Sequence, residues 1–351
     1  MMSDGARRRA RWWLSIAGAA TVFAGAAGCA TPGAALESSP AVTVTRVGAA
    51  LHAPVWSPDR HTLVAITDAQ RLAEVASPGG GDAATRLSVP MAVGANIQIS
   101  TIDKQHVLVP EPAPARVAVV DLASLRQIGD FDAGPAPAHL TTDAGARILL
   151  ALSADGSSVT PVQLYGLRKL ATAQITPATA IEGSDRGRQI EYHVYGPSGI
   201  SYYKGASSPP EKRGEFGMDI VAAAGDETKV TRSYVTDRNR QVLYALDSRR
   251  GGKGLEIVGR ADVASAIRYL GTDDSRVFAA TDRDLMVFET ASITGYPRGK
   301  IPVLASIDYR TAMPVGSVRF APPSGLAVAA DRVYLTLRGQ PYVIGVAKPR
   351  V

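Results

Sequence analysis

The chain is poor in the residues that most often announce chemistry. Cys29 is its one cysteine in 351 residues, so no disulfide can form within the molecule. The five histidines (His52, His61, His106, His139 and His193) are widely separated. Neither an H-E-x-x-H pair nor a second cysteine exists around which to build a zinc site. No G-x-S-x-G elbow, EF-hand loop, P-loop or dinucleotide fingerprint occurs. Aromatic residues make up 6% of the chain, and Trp56 is the only tryptophan beyond residue 13. Charge of one sign is scarce too. Thirty-eight Lys and Arg against 32 Asp and Glu leave a net +6, and Arg7, Arg8, Arg9 and Arg11 set against Asp4 already account for half of it. The remainder is too balanced for a nucleic-acid surface. What is plentiful is apolar: 46% of the residues are hydrophobic, which allows a sizeable core and excludes wholesale disorder.

Residues 1–28 have the three parts of an export signal. A basic start, ARRRAR (6–11), precedes an uncharged apolar stretch, WWLSIAGAATVFAGAAG (12–28), which ends in small residues. Cys29 follows directly. The run Ala26-Ala27-Gly28-Cys29 resembles the lipobox of bacterial lipoproteins, with Ala26 where Leu is commoner. That resemblance implies cleavage before Cys29 and acylation of its thiol by diacylglycerol and palmitate-type chains. Residues 29–41, small and polar with two prolines after the cysteine, then read as a flexible tether. Two or more acyl chains hold a protein to a membrane firmly, so the expected location is the outer face of the cell membrane.

From residue 42 the periodicity is that of short strands, and one unit recurs. Its strongest run appears as TLVAIT (62–67), HVLVP (106–110), RILLAL (147–152), EYHVY (191–195), RSYVTD (232–237), RVFAAT (276–281) and RVYLTL (332–337). Starts are roughly 41 to 45 residues apart except for a longer last interval. Each is followed by a second strand-like run. Six are followed by a third: TRLSVP (85–90), RQIGDF (126–131), KLATAQI (169–175), RGEFGM (213–218), LEIVGR (255–260) and VLASIDY (303–309). The seventh unit lacks it, and VTVTRVG (42–48) can supply it. This predicts an all-β, seven-bladed propeller over 42–351, in which the N-terminal strand closes the last blade. SYVTDRNRQVLYALDSRRGG (233–252) resembles the YVTN-type propeller repeat, with Asp237 in place of Asn. Together with the Ala-, Gly-, Arg- and Val-rich usage, the chain is similar to actinobacterial-type envelope lipoproteins carrying such propellers. That family is functionally mixed, so fold alone assigns no activity.

Innermost strands of a propeller line a central channel. Aligning them places Gln98, His139, Glu182, Asp219, Arg268 and Arg319 at comparable positions, a mixed-charge ring able to hold a small anionic or sugar-like ligand. A second candidate surface comes from the turns between the last two strands of units three to six. They carry Arg168 and Lys169, then Lys212 and Arg213, then Arg249, Arg250 and Lys253, then Arg298 and Lys300. Repeat logic puts them on one face. Trp56 and the Tyr192, Tyr202 and Tyr203 cluster are expected to pack between blades. GGGDAATR (79–86) is expected to form a hairpin turn. The function expected is binding or scaffolding in the cell envelope, through a protein, anionic lipid or glycan partner and with no cofactor. The alternative is a lactonase-like or other hydrolase working at the channel mouth, which requires His139 within hydrogen-bond reach of Glu182 or Asp219.

Overall fold

A computed structural model describes residues 41–350 apart from 77, 144, 146, 184–187 and 250–253. Residues 1–40, with the expected signal, Cys29 and most of the tether, lie outside the described residues, as do Arg250 and Lys253.

β-branched and aliphatic runs bounded by Asp, Asn, Gly and Ser turns form seven antiparallel sheets. In chain order blade 1 is Leu51–Ser57, Thr62–Thr67, Leu72–Ala76 and Thr85–Leu87, and blade 2 is Gln98–Ile99, His106–Glu111, Arg116–Asp121 and Arg126–Phe131. Blade 3 contains Pro137–Asp143, Ile148–Ser153 and Ser158–Gln163, and blade 4 contains Ala180–Glu182, Ile190–Gly196, Gly199–Gly205 and Glu211–Phe216. Blade 5 is Ile220–Gly225, Ser233–Asp237, Val242–Ser248 and Leu255–Asp262, and blade 6 is Ile267–Thr272, Arg276–Thr281, Asp284–Glu289 and Val303–Asp308. Blade 7 takes Pro323–Val328, Arg332–Leu337 and Gln340–Ala347 from the end of the chain.

The fourth strand of blade 7 is Val42–Arg46, paired antiparallel from Val42 opposite Val346 to Arg46 opposite Tyr342. The ring therefore closes as expected. The edge this strand leaves is partly occupied by Gly81–Asp82, which runs parallel to Thr45–Arg46. The Gly-rich segment 79–86 joins the antiparallel pair Leu72–Ala76 and Thr85–Leu87, as expected of a hairpin, and within it Gly81–Asp82 also reaches sideways to the closing strand.

Asp side chains end many of the strands. Asp237 Oδ1 accepts from the N–H groups of Asn239 and Arg240, Asp121 from Ala123 and Ser124, and Asp273 from Ser275 and Arg276. A short carboxylate reaching two residues ahead stands in for the next ladder bond and turns the chain. The Asp in YVTD has this local reason.

Apolar side chains alternate out of both faces of each sheet, so the core is divided among the gaps between neighbouring blades. Val107, Val109 and Val120 of blade 2 pack on Val64, Ile66 and Leu72 of blade 1. Val333, Leu335 and Ile344 of blade 7 pack on Phe278, Leu285 and Val287 of blade 6. Trp56 stacks on Tyr334 at 5.1 Å, joining blades 1 and 7. Tyr192 stacks on Tyr203 at 5.1 Å inside the gap between blades 3 and 4. The tyrosine cluster of unit four is filling, not a contact patch.

One expected strand is broken. KLATAQI (169–175) yields only Arg168–Lys169 and Ala173–Gln174, both paired to Ser158–Gln163. Between them Leu170 N–H reaches the carbonyl of Pro161. That carbonyl faces the outermost strand, so the N–H that proline lacks would have faced it too, and the ladder stops there.

Candidate functional site

The innermost strands begin on one face of the propeller, and by antiparallel alternation the turns between second and third strands lie on that same face. The turns between third and fourth strands lie on the other. On the first face a cavity of about 600 Å³ opens into the central channel. A second chamber of about 270 Å³ continues it toward the other face, and Gln98, Glu182, Leu270 and Leu326 line both.

Close approach of the inner strands shapes this space. A Cβ on Gly325 would lie 2.1 Å from Pro54 Cδ, and one on Gly183 2.1 Å from the Thr142 carbonyl oxygen. Only a residue without a side chain lets neighbouring blades converge there. Side chains then tie the strands together. Asn96 donates to the Leu140 carbonyl at 2.7 Å and accepts from the Leu140 N–H at 2.8 Å, and Gln98 donates to the same carbonyl at 3.1 Å. Thr141 Oγ1 accepts from Gly183 N–H at 2.9 Å, and Ser324 donates to the Leu51 carbonyl at 2.6 Å.

Four of the six expected ring residues line the cavity: Gln98, His139, Glu182 and Arg268. Two do not. Asp219 lies just before its strand and is paired with Arg238 at 2.6 Å, while Val221 holds the lining position. Arg319 belongs to a short 3-10 turn, Ser317–Phe320, where it donates to the Met313 carbonyl. Ser324 faces the cavity in its place. The longer last interval is an extended connection between blades 6 and 7, so an alignment at constant spacing lands short of the strand. His52, Asn96, Tyr195 and Arg338 also line the cavity and were not among the expected residues. Arg338 lies at a turn between second and third strands, so the face rule alone would have found it.

Burial governs the ionisation of this lining. Glu182 is pushed up to about 8 by desolvation, opposed by a hydrogen bond from the Tyr195 hydroxyl. Its carboxyl is therefore mainly protonated at neutral pH. Desolvation also pushes Tyr195 well above the usual phenol range. His139 is pushed down to about 4 by burial, against a hydrogen bond to the Thr179 backbone, and so is neutral. His52 is lowered by burial as well, partly offset by Asp68 and the Thr67 backbone. Arg268 is held by Asp282, with its Nε 2.8 Å and its Nη2 2.5 Å from the two carboxylate oxygens. His139 and Glu182 thus share a cavity, but each is bonded elsewhere and no hydrogen bond joins them.

The turns between third and fourth strands carry the expected cations, except that Lys300 runs back along the outermost strand of blade 5 beside Arg260, and several of the charges are neutralised. Lys169 pairs with Asp132 and Lys212 with Glu215. Arg213 lies 3.1 Å from Glu211, and Arg168 donates to Gln163. Arg249, Arg298 and Lys300, on blades 5 and 6, are exposed and make no ion pair among the described residues. The same two blades carry exposed apolar side chains: Ile293 is 92% exposed, Val303 51% and Ile257 42%.

No protein-family model matches the sequence, and no curated protein matches it. Solved structures do. The chain is similar to a structure of U3-55K, with TM-score 0.65 and 10% identity over 88% of this chain and 98% of that one. It is similar to the WD40 repeats of RRP9, with TM-score 0.64 and 10% identity over 87% and 97%. A third likeness is to virginiamycin B lyase from Staphylococcus aureus, with TM-score 0.61 and 8% identity over 88% and 99%. At such identity what is shared is fold, and by fold the chain is a seven-bladed β-propeller.

Proposed function

We propose that this chain is a binding or scaffold protein of the bacterial cell envelope, held to the outer face of the membrane by acylated Cys29 and engaging a protein partner across blades 5 and 6. The observation that carries the reading is the patch on blades 5 and 6. Ile293, Val303 and Ile257 offer exposed apolar area on the blades that carry Arg249, Arg298 and Lys300, exposed cations with no ion pair among the described residues. Large exposed apolar side chains together with cations on the same blades suit a protein surface with apolar and acidic groups better than a lipid headgroup layer. A propeller scaffold is compatible with such a role. The hydrolase alternative draws less support, since His139 and Glu182 are engaged with Thr179 and Tyr195 rather than with each other.

Crosslinking affinity purification from intact envelopes tests the reading, comparing the wild type with an Arg249→Glu, Arg298→Glu, Lys300→Glu triple variant. A reproducible protein partner lost in the variant supports it. The same partner captured by both moves the working surface elsewhere, and capture of none by either overturns the scaffold role. The anchor has its own test. Cys29→Ser should abolish labelling by a lipid precursor and move the protein to the soluble fraction; unchanged labelling refutes acylation at Cys29.

A further inference from the structure

Three guanidinium groups, Arg240, Arg268 and Arg338, gather at the mouth of the 600 Å³ cavity. Arg268 and Arg338 line it, and Arg240 stands behind them, donating to the Ile267 carbonyl at 3.0 Å. Arg338 reaches the Tyr269 hydroxyl and makes no ion pair among the described residues. Arg240 is held below the usual guanidinium range by burial and by its neighbours Arg268 and Arg338. The carboxylates near this group are Asp282, bound to Arg268, Asp237, which accepts from the Arg240 N–H, and Asp68 across the cavity beside His52. His52 and His139 are neutral, and Arg238 and Asp219 cancel each other. Arg268 is satisfied by Asp282, which leaves Arg338 as the lining guanidinium with no ion pair among the described residues.

Behind this mouth the lining is uncharged and polar. Gln98, His139 and Glu182 lie deeper, mixed with Leu51, Val55 and Leu326. The volume falls in the range of small-molecule sites. We infer that the channel binds a small organic monocarboxylate bearing hydroxyl groups, its carboxylate against Arg268 and Arg338 and its hydroxyls toward Gln98 and Glu182. The planar guanidinium fork of Arg338 matches one carboxylate. The Tyr195 hydroxyl occupies one side of the Glu182 carboxyl. The protonated carboxyl can then donate to a ligand hydroxyl, whereas a second ligand charge at that depth would go uncompensated.

The test is calorimetric titration of the purified full chain with gluconate, and with glucose, citrate and inorganic phosphate as probes of charge and shape. Gluconate should bind saturably in a one-to-one ratio and more tightly than the other three. Arg338→Gln, a change at an exposed turn, should weaken it by about tenfold to a hundredfold. The Arg249→Glu, Arg298→Glu, Lys300→Glu variant, whose changes lie outside the cavity lining, should bind as the wild type does. Circular dichroism and melting confirm that each variant is folded. The inference is overturned if gluconate shows no binding up to about 10 mM. Glucose binding equally well, phosphate or citrate binding more tightly, or Arg338→Gln leaving gluconate affinity unchanged would also overturn it.

Discussion

Glu182→Gln should flatten the alkaline limb of the protein's stability curve. In the folded chain the Glu182 carboxyl is carried from an ordinary 4.5 to about 8, mainly by desolvation. A carboxyl raised in this way binds more protons folded than unfolded between those two values. Its contribution is fully present below pH 4.5 and is lost as pH rises through 8. At about 1.4 kcal/mol per pH unit the whole span is worth about 5 kcal/mol, an upper bound because channel water can relieve part of the burial. His139 and His193 act in the opposite sense. Each is lowered from 6.5 to about 4 by burial, so each costs stability as pH falls through that interval and nothing above it. Between pH 6.5 and 8 Glu182 therefore acts without them, and the wild type should lose about 2 kcal/mol, or roughly 4 °C in melting temperature. Gln has the same shape, keeps an oxygen for the Tyr195 hydroxyl and does not titrate. Urea unfolding at half-unit steps from pH 5.5 to 8.5 measures both proteins. If Glu182→Gln loses as much stability over this range as the wild type, the carboxyl is not buried and protonated, and the account of the channel lining fails.

Two further substitutions test packing. Tyr192 is 1% exposed and its hydroxyl has no hydrogen-bond partner among the described residues. Tyr192→Phe should keep the stacking on Tyr203 and raise unfolding stability by about 1 kcal/mol, and a clear loss would reveal a missing partner. Gly325→Ala places a methyl 2.1 Å from Pro54 Cδ. It should cost about 1–3 kcal/mol in chemical denaturation and weaken any ligand of the cavity, whereas full stability would mean that the two blades can separate there.

Much of the architecture could be read along the chain because a propeller repeats local chemistry. RVFAAT and DLMVFET predict two paired strands with buried faces, and Arg276–Thr281 and Asp284–Glu289 pair residue for residue from Arg276 opposite Glu289. VTVTRVG could be matched to the last blade because a ring with an unpaired edge would be an unsatisfied one. Where the ladder needed a group the side chains did not advertise, as at Pro161, the reading of KLATAQI failed.

The site was less legible, since it is made of single residues from different blades. Gln98, His139, Glu182 and Arg268 were found because their strands start at regular spacing. Asp219 and Arg319 were misplaced because register within a strand shifts by single residues and the last connection is longer. Local sequence, through alternation and turn chemistry, determines the strands, their order and the closing partner. Which side chains meet in the channel depends on how far each inner strand advances before it turns. That Glu182 is a neutral acid and Arg338 an unpaired cation follows from burial and neighbours that exist only when seven blades surround one axis.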